Sequence, residues 1–248
     1  MKTISFALLV ATMLLSPIHL LYSQQMYQVH QDNVKPAKVF EYEMVARDFI
    51  EACITHNPPT KWITAVIDDF RYLYISPMDN YAELDKRPFK DMADTMGDEF
   101  GTLFNRFDAC YDAHTSYVIT LLEDLTYMPQ GISQTQEGKN NRKFIFLYYS
   151  PDNGKALHEA MKKIKEVFAS KGSNEYYRVY RSGFGTPENY LFIAISYKDQ
   201  IENVVKSRAN QQLLGQSGLE AFSQVLKHIL RYEEYNAEMR PDLAFTPR

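Results

Sequence analysis

Cysteine is nearly absent. The chain of 248 residues holds two, Cys53 and Cys110, which excludes a disulfide-built scaffold. They have no CxxC spacing, so thiol redox and cysteine-zinc chemistry are not expected. Both fall on expected helices that can pack together, and the pair reads either as a disulfide or as two buried thiols. The six histidines show no HxH or HExxH spacing, so no protein-only metal site is expected. There is no GxSxG, no P-loop and no visible Ser/His/Asp constellation. The GFG at 183–185 lacks the further glycine of a dinucleotide motif and reads as a bulge, a close approach or a kink before a turn. Basic residues are outnumbered, 27 against 31, and are dispersed. A nucleic-acid partner would need a basic stripe, so none is expected. Tryptophan occurs once, at Trp62.

Long apolar runs are also missing, except at the start. Lys2 precedes an apolar run from Phe6 to Leu15, Pro17 breaks it, and Ser23 is a small residue at a cleavage point. Residues 1–23 therefore read as a secretory signal peptide, and the chain as a periplasmic or secreted protein with no membrane span after its removal.

What is plentiful is aromatic: 18 Tyr and 15 Phe. Tyrosine pairs a large apolar face with a polar tip and suits both sheets and semi-polar cavities. There is also a repeat. Asp124-Leu125 and Pro129 of DLTYMP recur as Asp242-Leu243 and Pro247 of DLAFTP, an offset of 118 residues. At that offset Tyr72-Leu73-Tyr74-Ile75 falls on Tyr190-Leu191-Phe192-Ile193, and Gly97 falls on Gly215. A diverged tandem duplication follows.

Each copy carries the same element order. Short apolar runs at 26–30 and 144–149 read as strands. Helical spacing follows over 35–56 and 154–170. Strand pairs come next, at 61–67 with 72–76 and at 176–182 with 190–196. Helical regions at 80–111 and 198–230 precede final strands near 117–122 and 235–239. This is β-α-β-β-α-β twice, the split βαβ arrangement of a ferredoxin-like unit. Such a unit leaves one sheet face bare, and two copies can cover each other sheet to sheet. The expected division is repeat 1 over 24–129, a polar linker over 130–141 and repeat 2 over 142–248.

On this order, the duplication and the YLYI and YLFI strands, the chain resembles the dimeric α/β-barrel superfamily, which includes NIPSNAP-like proteins and antibiotic-biosynthesis-type and haem-degrading monooxygenases. The resemblance implies an α+β fold in which two ferredoxin-like repeats form an intramolecular α/β barrel. It implies ligand space between the sheets or between a sheet and its helices. It also implies either no cofactor or haem.

Candidate site residues follow. His30 ends the first strand and falls on Tyr148 at the repeat offset. His114 follows the long helical region and falls on Tyr232. Either histidine could ligate haem iron or act as a base. Trp62, Tyr74, Tyr180 and Phe192 lie on central strands and could stack on a flat ligand or pack the core. Arg71 precedes YLYI and could hold a carboxylate. The paired acids Asp68-Asp69 and Glu233-Glu234 read as solvated edges. Three functional readings stand: a binder of a small apolar or aromatic molecule, a structural or interaction protein with a filled barrel, and a cofactor-independent or haem-handling monooxygenase-like enzyme. The oligomeric state stays open.

Overall fold

The computed structural model describes residues 25–248. The expected signal peptide lies outside them. The first half runs β1 (Met26–Val34), α1 (Val39–His56), β2 (Ile63–Ile67), β3 (Arg71–Met78), α2 (Lys90–Met96), α3 (Asp98–Asp108) and β4 (Tyr111–Leu121). The second runs β5 (Asn141–Tyr148), α4 (Gly154–Ser170), β6 (Tyr177–Ser182), β7 (Tyr190–Tyr197), α5 (Gln200–Leu226) and β8 (Arg231–Met239). The duplicated α+β order is thus observed.

Every strand pair is antiparallel, and the eight strands close in the order β1-β3-β2-β8-β5-β7-β6-β4. Each half supplies a four-stranded sheet of order 4-1-3-2. The halves join by β2 with β8 (Ala65 opposite Met239) and by β4 with β6 (Ile119 opposite Ser182). This is the dimeric α/β-barrel fold within one chain.

Strand alternation sorts the side chains into an interior and an outer shell. Tyr27, Val29, Leu73, Ile119, Phe144, Phe146, Tyr180, Tyr190 and Phe192 fill the barrel. Their rings interlock, with Phe146 stacked 4.9 Å from Phe192 and Tyr180 stacked 5.5 Å from it. The outward side chains pack under α1 and α3 in the first half and under α4 and α5 in the second.

The repeat offset slips on the first and third strands of each half. At 118 residues the outward Tyr74 would fall on the inward Phe192, and the outward His30 on the inward-facing Tyr148. A one-residue slip exchanges the two faces of a strand, so these pairs are not structural equivalents. On the helices the offset holds. Gly97 and Gly215 both take positive φ (56° and 54°) where the helical chain kinks, a conformation glycine adopts without a Cβ clash.

The two hexapeptides cross between the halves. Tyr127 exchanges backbone hydrogen bonds with Tyr177 of the second half (3.0 and 3.1 Å), and Phe245 does the same with Trp62 of the first (2.9 and 3.1 Å). Leu125 inserts among the second-half side chains and Leu243 among the first-half ones, each fully buried. Burying one leucine contributes about 1.5–3 kcal/mol. These straps stitch each half onto the other.

The segment between the halves has a further role. At one barrel end Arg142 and Arg178 are 2% and 3% exposed. Arg142 donates to the carbonyls of Lys139 and Asn141, Arg178 to those of Ser133 and Gln134 and to Ser196 Oγ. Tyr27 and Tyr180 hydrogen-bond the Gln134 side chain. The polar stretch therefore plugs that end with its backbone carbonyls. Burial, with Arg178 adding to it, pulls the Arg142 guanidinium down to about 9.

Candidate functional site

Two strands run longer than their sequence patterns suggest. β1 continues to Val34, so Asp32 is a strand residue. β4 begins at Tyr111, so His114 sits within a strand rather than behind a helix. The β1–β4 ladder sets Asp32 opposite His114 and His30 opposite Ser116. Residues 30 and 32 share one face of β1, and 114 and 116 share the matching face of β4. Four polar side chains thereby meet on the outer face of the first sheet.

Their geometry is specific. His30 Nδ1 lies 3.1 Å from Ser116 Oγ, and its Nε2 lies 3.1 Å from Asp32 Oδ1. Asp32 is 4% exposed. Tyr42 of α1 donates to Asp32 Oδ2 at 2.6 Å, and its hydroxyl is also 2.8 Å from that of Tyr74. Burial first, then the neighbouring Tyr74 and Asp32, hold the Tyr42 phenol well above its ordinary range. Tyr42 thus stays a proton donor to the carboxylate. Asp32 Oδ1, by contrast, makes no aligned hydrogen bond, despite the nearby imidazole. His114 packs edge-on to His30 at 5.5 Å and against Tyr111 at 5.3 Å. Ligand atoms of His30, Asp32 and His114 all lie within 4.8 Å of one another.

This cluster forms one wall of a cavity of about 700 Å³ between the first sheet and its helices. Another wall is aromatic. Phe49 stacks on Trp62 at 6.0 Å, and Phe89 meets both edge-on at 5.4 and 6.2 Å. Tyr74 lies between the two walls, while Lys61, Lys86 and Glu83 also line the space. A second cavity of about 770 Å³ occupies the matching gap in the second half. It is lined by Met161, Ile164, Phe168, Ile193, Leu214 and Phe222, with Glu175 and Asn210 among its polar groups. No histidine appears in its lining among the described residues.

The expected site residues divide accordingly. His30, His114, Trp62 and Tyr74 share the first cavity. Tyr180 and Phe192 face into the barrel and pack its core, so the four strand aromatics do not form one stacking surface. Tyr148 also faces inward, under Arg231 at 3.7 Å, with its hydroxyl on Glu233. Arg71 does hold a carboxylate, but that of Asp69, at 2.9 and 2.8 Å. Its guanidinium lies 4.6 Å from the Tyr235 ring. Glu233 and Glu234 lie on β8 and pair with Arg231 and with Lys143 of β5, Glu234 staying exposed as Asp68 and Asp69 do. Cys53 and Cys110 are unbridged. They belong to different packing groups, Cys53 with Trp62 and Met92, and Cys110 with Tyr42 and Phe107. Burial pushes the Cys53 thiol up to about 12.

The glycines at 183–185 serve the site from outside. Phe184 O accepts from Val118 N at 2.8 Å. A Cβ on Gly183 would come within 2.9 Å of Val118 O, and one on Gly185 within 2.5 Å of Ser116 O. The close approach is to β4, behind Ser116. The apolar pattern ends β1 at His30 and so leaves Asp32 outside the expected strand. The available signal was the H-x-D spacing on one strand face, with His114 supplied from the facing strand.

Haem does not fit at His30. An axial imidazole must turn one nitrogen toward open space wide enough for the porphyrin. His30 Nδ1 faces Ser116, and Asp32 lies 3.1 Å from Nε2, where the macrocycle would have to pass.

No family profile and no curated protein matches the chain. Solved structures do. An anthrone oxidase-like protein superposes with a TM-score of 0.60 at 9% identity, over 88% of this chain and 92% of that one. A candidate monooxygenase from Lactobacillus acidophilus NCFM gives 0.53 at 9% identity, over 90% and 96%. A mutant chlorite dismutase from Candidatus Nitrospira defluvii gives 0.51 at 9% identity, over 89% and 93%. At these identities the likeness is one of fold. No helix among the described residues is long and apolar enough to cross a membrane.

Proposed function

We propose that the protein binds a flat, hydroxylated aromatic molecule in the cavity of its first half and acts on it as an oxygenase-like enzyme of an exported compartment. One observation carries this reading: a wall of stacked rings and a His–Asp–His cluster line the same cavity. A flat apolar body suits the Phe49–Trp62–Phe89 wall. A ring hydroxyl would then meet His30 and Asp32, where an imidazole beside a carboxylate can take its proton. The names of the similar structures, an anthrone oxidase-like protein and a candidate monooxygenase, fit oxidation of such a ring. The packed barrel interior leaves the helix–sheet gap as the better home for a ligand than the space between the sheets.

The sole tryptophan makes the test direct, because Trp62 belongs to this cavity and not to the second. Titration with 2-naphthol should quench its emission saturably at one site, and Phe89→Ala should weaken binding about tenfold or more. Oxygen uptake with anthrone should be lost in His30→Ala. Absence of quenching would sink the proposal. Quenching without uptake would remove the enzyme and leave a binding protein.

A further inference from the structure

We propose that His30, Asp32 and His114 form a mononuclear site for a divalent transition metal, of the two-histidine, one-carboxylate kind that suits Fe(II). This deepens the reading above and replaces the base in it: with an ion held by His30 and Asp32, a ring hydroxyl binding that ion would lose its proton to water rather than to the imidazole. Three observations carry it.

The first is how His30 and Asp32 are held. Metal-binding side chains commonly have one polar atom tied by an outer partner and the other turned to the ion. Tyr42 ties Asp32 Oδ2 and leaves Oδ1 free, while Ser116 ties His30 Nδ1 and leaves Nε2 free. The two free atoms lie 3.1 Å apart and within 4.8 Å of a ring nitrogen of His114. The second is spacing. Two ligands each about 2.1 Å from one ion, at right angles, stand about 3 Å apart. His30 Nε2 and Asp32 Oδ1 are 3.1 Å apart and not aligned as a hydrogen bond. The third is the carboxylate itself. Asp32 is 4% exposed with Oδ1 unpartnered, and an unpaired buried charge is costly. A cation against Oδ1 removes that cost.

His114 closes the trio from the facing strand. Three ligands drawn from one sheet face occupy one side of the ion. The other side opens on the cavity, leaving coordination positions for a substrate oxygen or for water. Among the described residues, the other His–Asp contact, His158 with Asp124 at 2.6 Å, has no third ligand and lies at the surface, so it serves as an internal control.

The test uses the full mature chain, stripped with chelator and titrated anaerobically with Co(II), with visible absorption as the readout. We expect ligand-field bands that saturate at one Co(II) per chain. Asp32→Asn and His114→Ala should each weaken binding tenfold or more, and Asp124→Ala should leave it unchanged. His114 is exposed, so His114→Ala keeps the fold, and circular dichroism verifies this for both variants. No bands, no saturation, or equal affinity in Asp32→Asn, His114→Ala and wild type would overturn the site. The titration contains no aromatic ligand. Its failure therefore leaves the 2-naphthol result standing, and failure of the 2-naphthol titration leaves the metal site standing.

Discussion

The strap leucines offer a quantitative test of how the two halves are joined. Leu243 belongs to a tail that follows the last strand of the second half, yet it is 0% exposed among Tyr42, Val45, Tyr72 and Phe107 of the first. Its carbonyl accepts from Trp62 Nε1 at 2.9 Å and from Thr64 Oγ1 at 2.8 Å. Leu243→Ala removes the side chain and leaves that carbonyl in place, so the variant isolates burial from hydrogen bonding. Leu→Ala substitutions in cores cost about 2–5 kcal/mol, growing with the cavity left behind. Leu243 borders the existing cavity, so its neighbours cannot close over the gap, and about 3 kcal/mol is expected. For a chain of this size that is a drop of about 6–12 °C in Tm. Leu125→Ala, its counterpart on the second half, should cost a similar amount. Urea unfolding followed by circular dichroism gives both values. Native Trp62 emission should shift in Leu243→Ala and stay constant in Leu125→Ala. Losses below about 1 kcal/mol in both variants would refute the claim that the straps hold the halves together.

Three further outcomes are expected. Gly185→Ala adds a Cβ 2.5 Å from Ser116 O at a residue with φ of +85°, so it should cost about 1–3 kcal/mol and also weaken 2-naphthol and Co(II) binding, whereas Gly131→Ala, with open space around it, should not affect either ligand. Stability should fall as pH rises from about 9 to 12. The folded pKa values of Cys53 and Tyr27 are raised to about 12, so the native state keeps protons that the unfolded chain releases. Arg142 acts in the opposite sense, but it is one group against many buried tyrosines, and Tm scans from pH 8 to 11.5 measure the balance. Both thiols should resist a thiol reagent in the native protein and react fully in urea without reductant; a count of zero in urea would show a disulfide.

The duplicated element order is legible in the sequence because it rests on periodicity and turn chemistry, and α4 follows its apolar spacing from end to end. Strand ends are not so legible. Asp32 and Asn33 look like turn residues, and YDAHTS looks polar, because both run along the mouth of the cavity where outward side chains need not be apolar. Periodicity alone therefore ended β1 early and began β4 late, and the site lies in those missing residues. The one-residue slip between copies had a similar cause. Tyr72 to Ile75 and Tyr190 to Ile193 are apolar on both faces, so their pattern does not mark which face turns inward. The crossing straps depend on long-range geometry that no local pattern carries.

Barrel closure has a consequence for how the chain can be divided. A lone ferredoxin-like unit would present two unpaired edge strands, β2 and β4 in one half and β6 and β8 in the other. Here each edge finds its partner across the molecule. β2 reads ITAVI, uncharged and without proline, which exposed would be a template for pairing with any passing strand. The charges at Lys61 and Asp68-Asp69 only flank it, and within the strand closure itself removes the free edge. Nicking the polar stretch between the halves should therefore leave a tight complex, whereas either half made alone should aggregate until it meets the other.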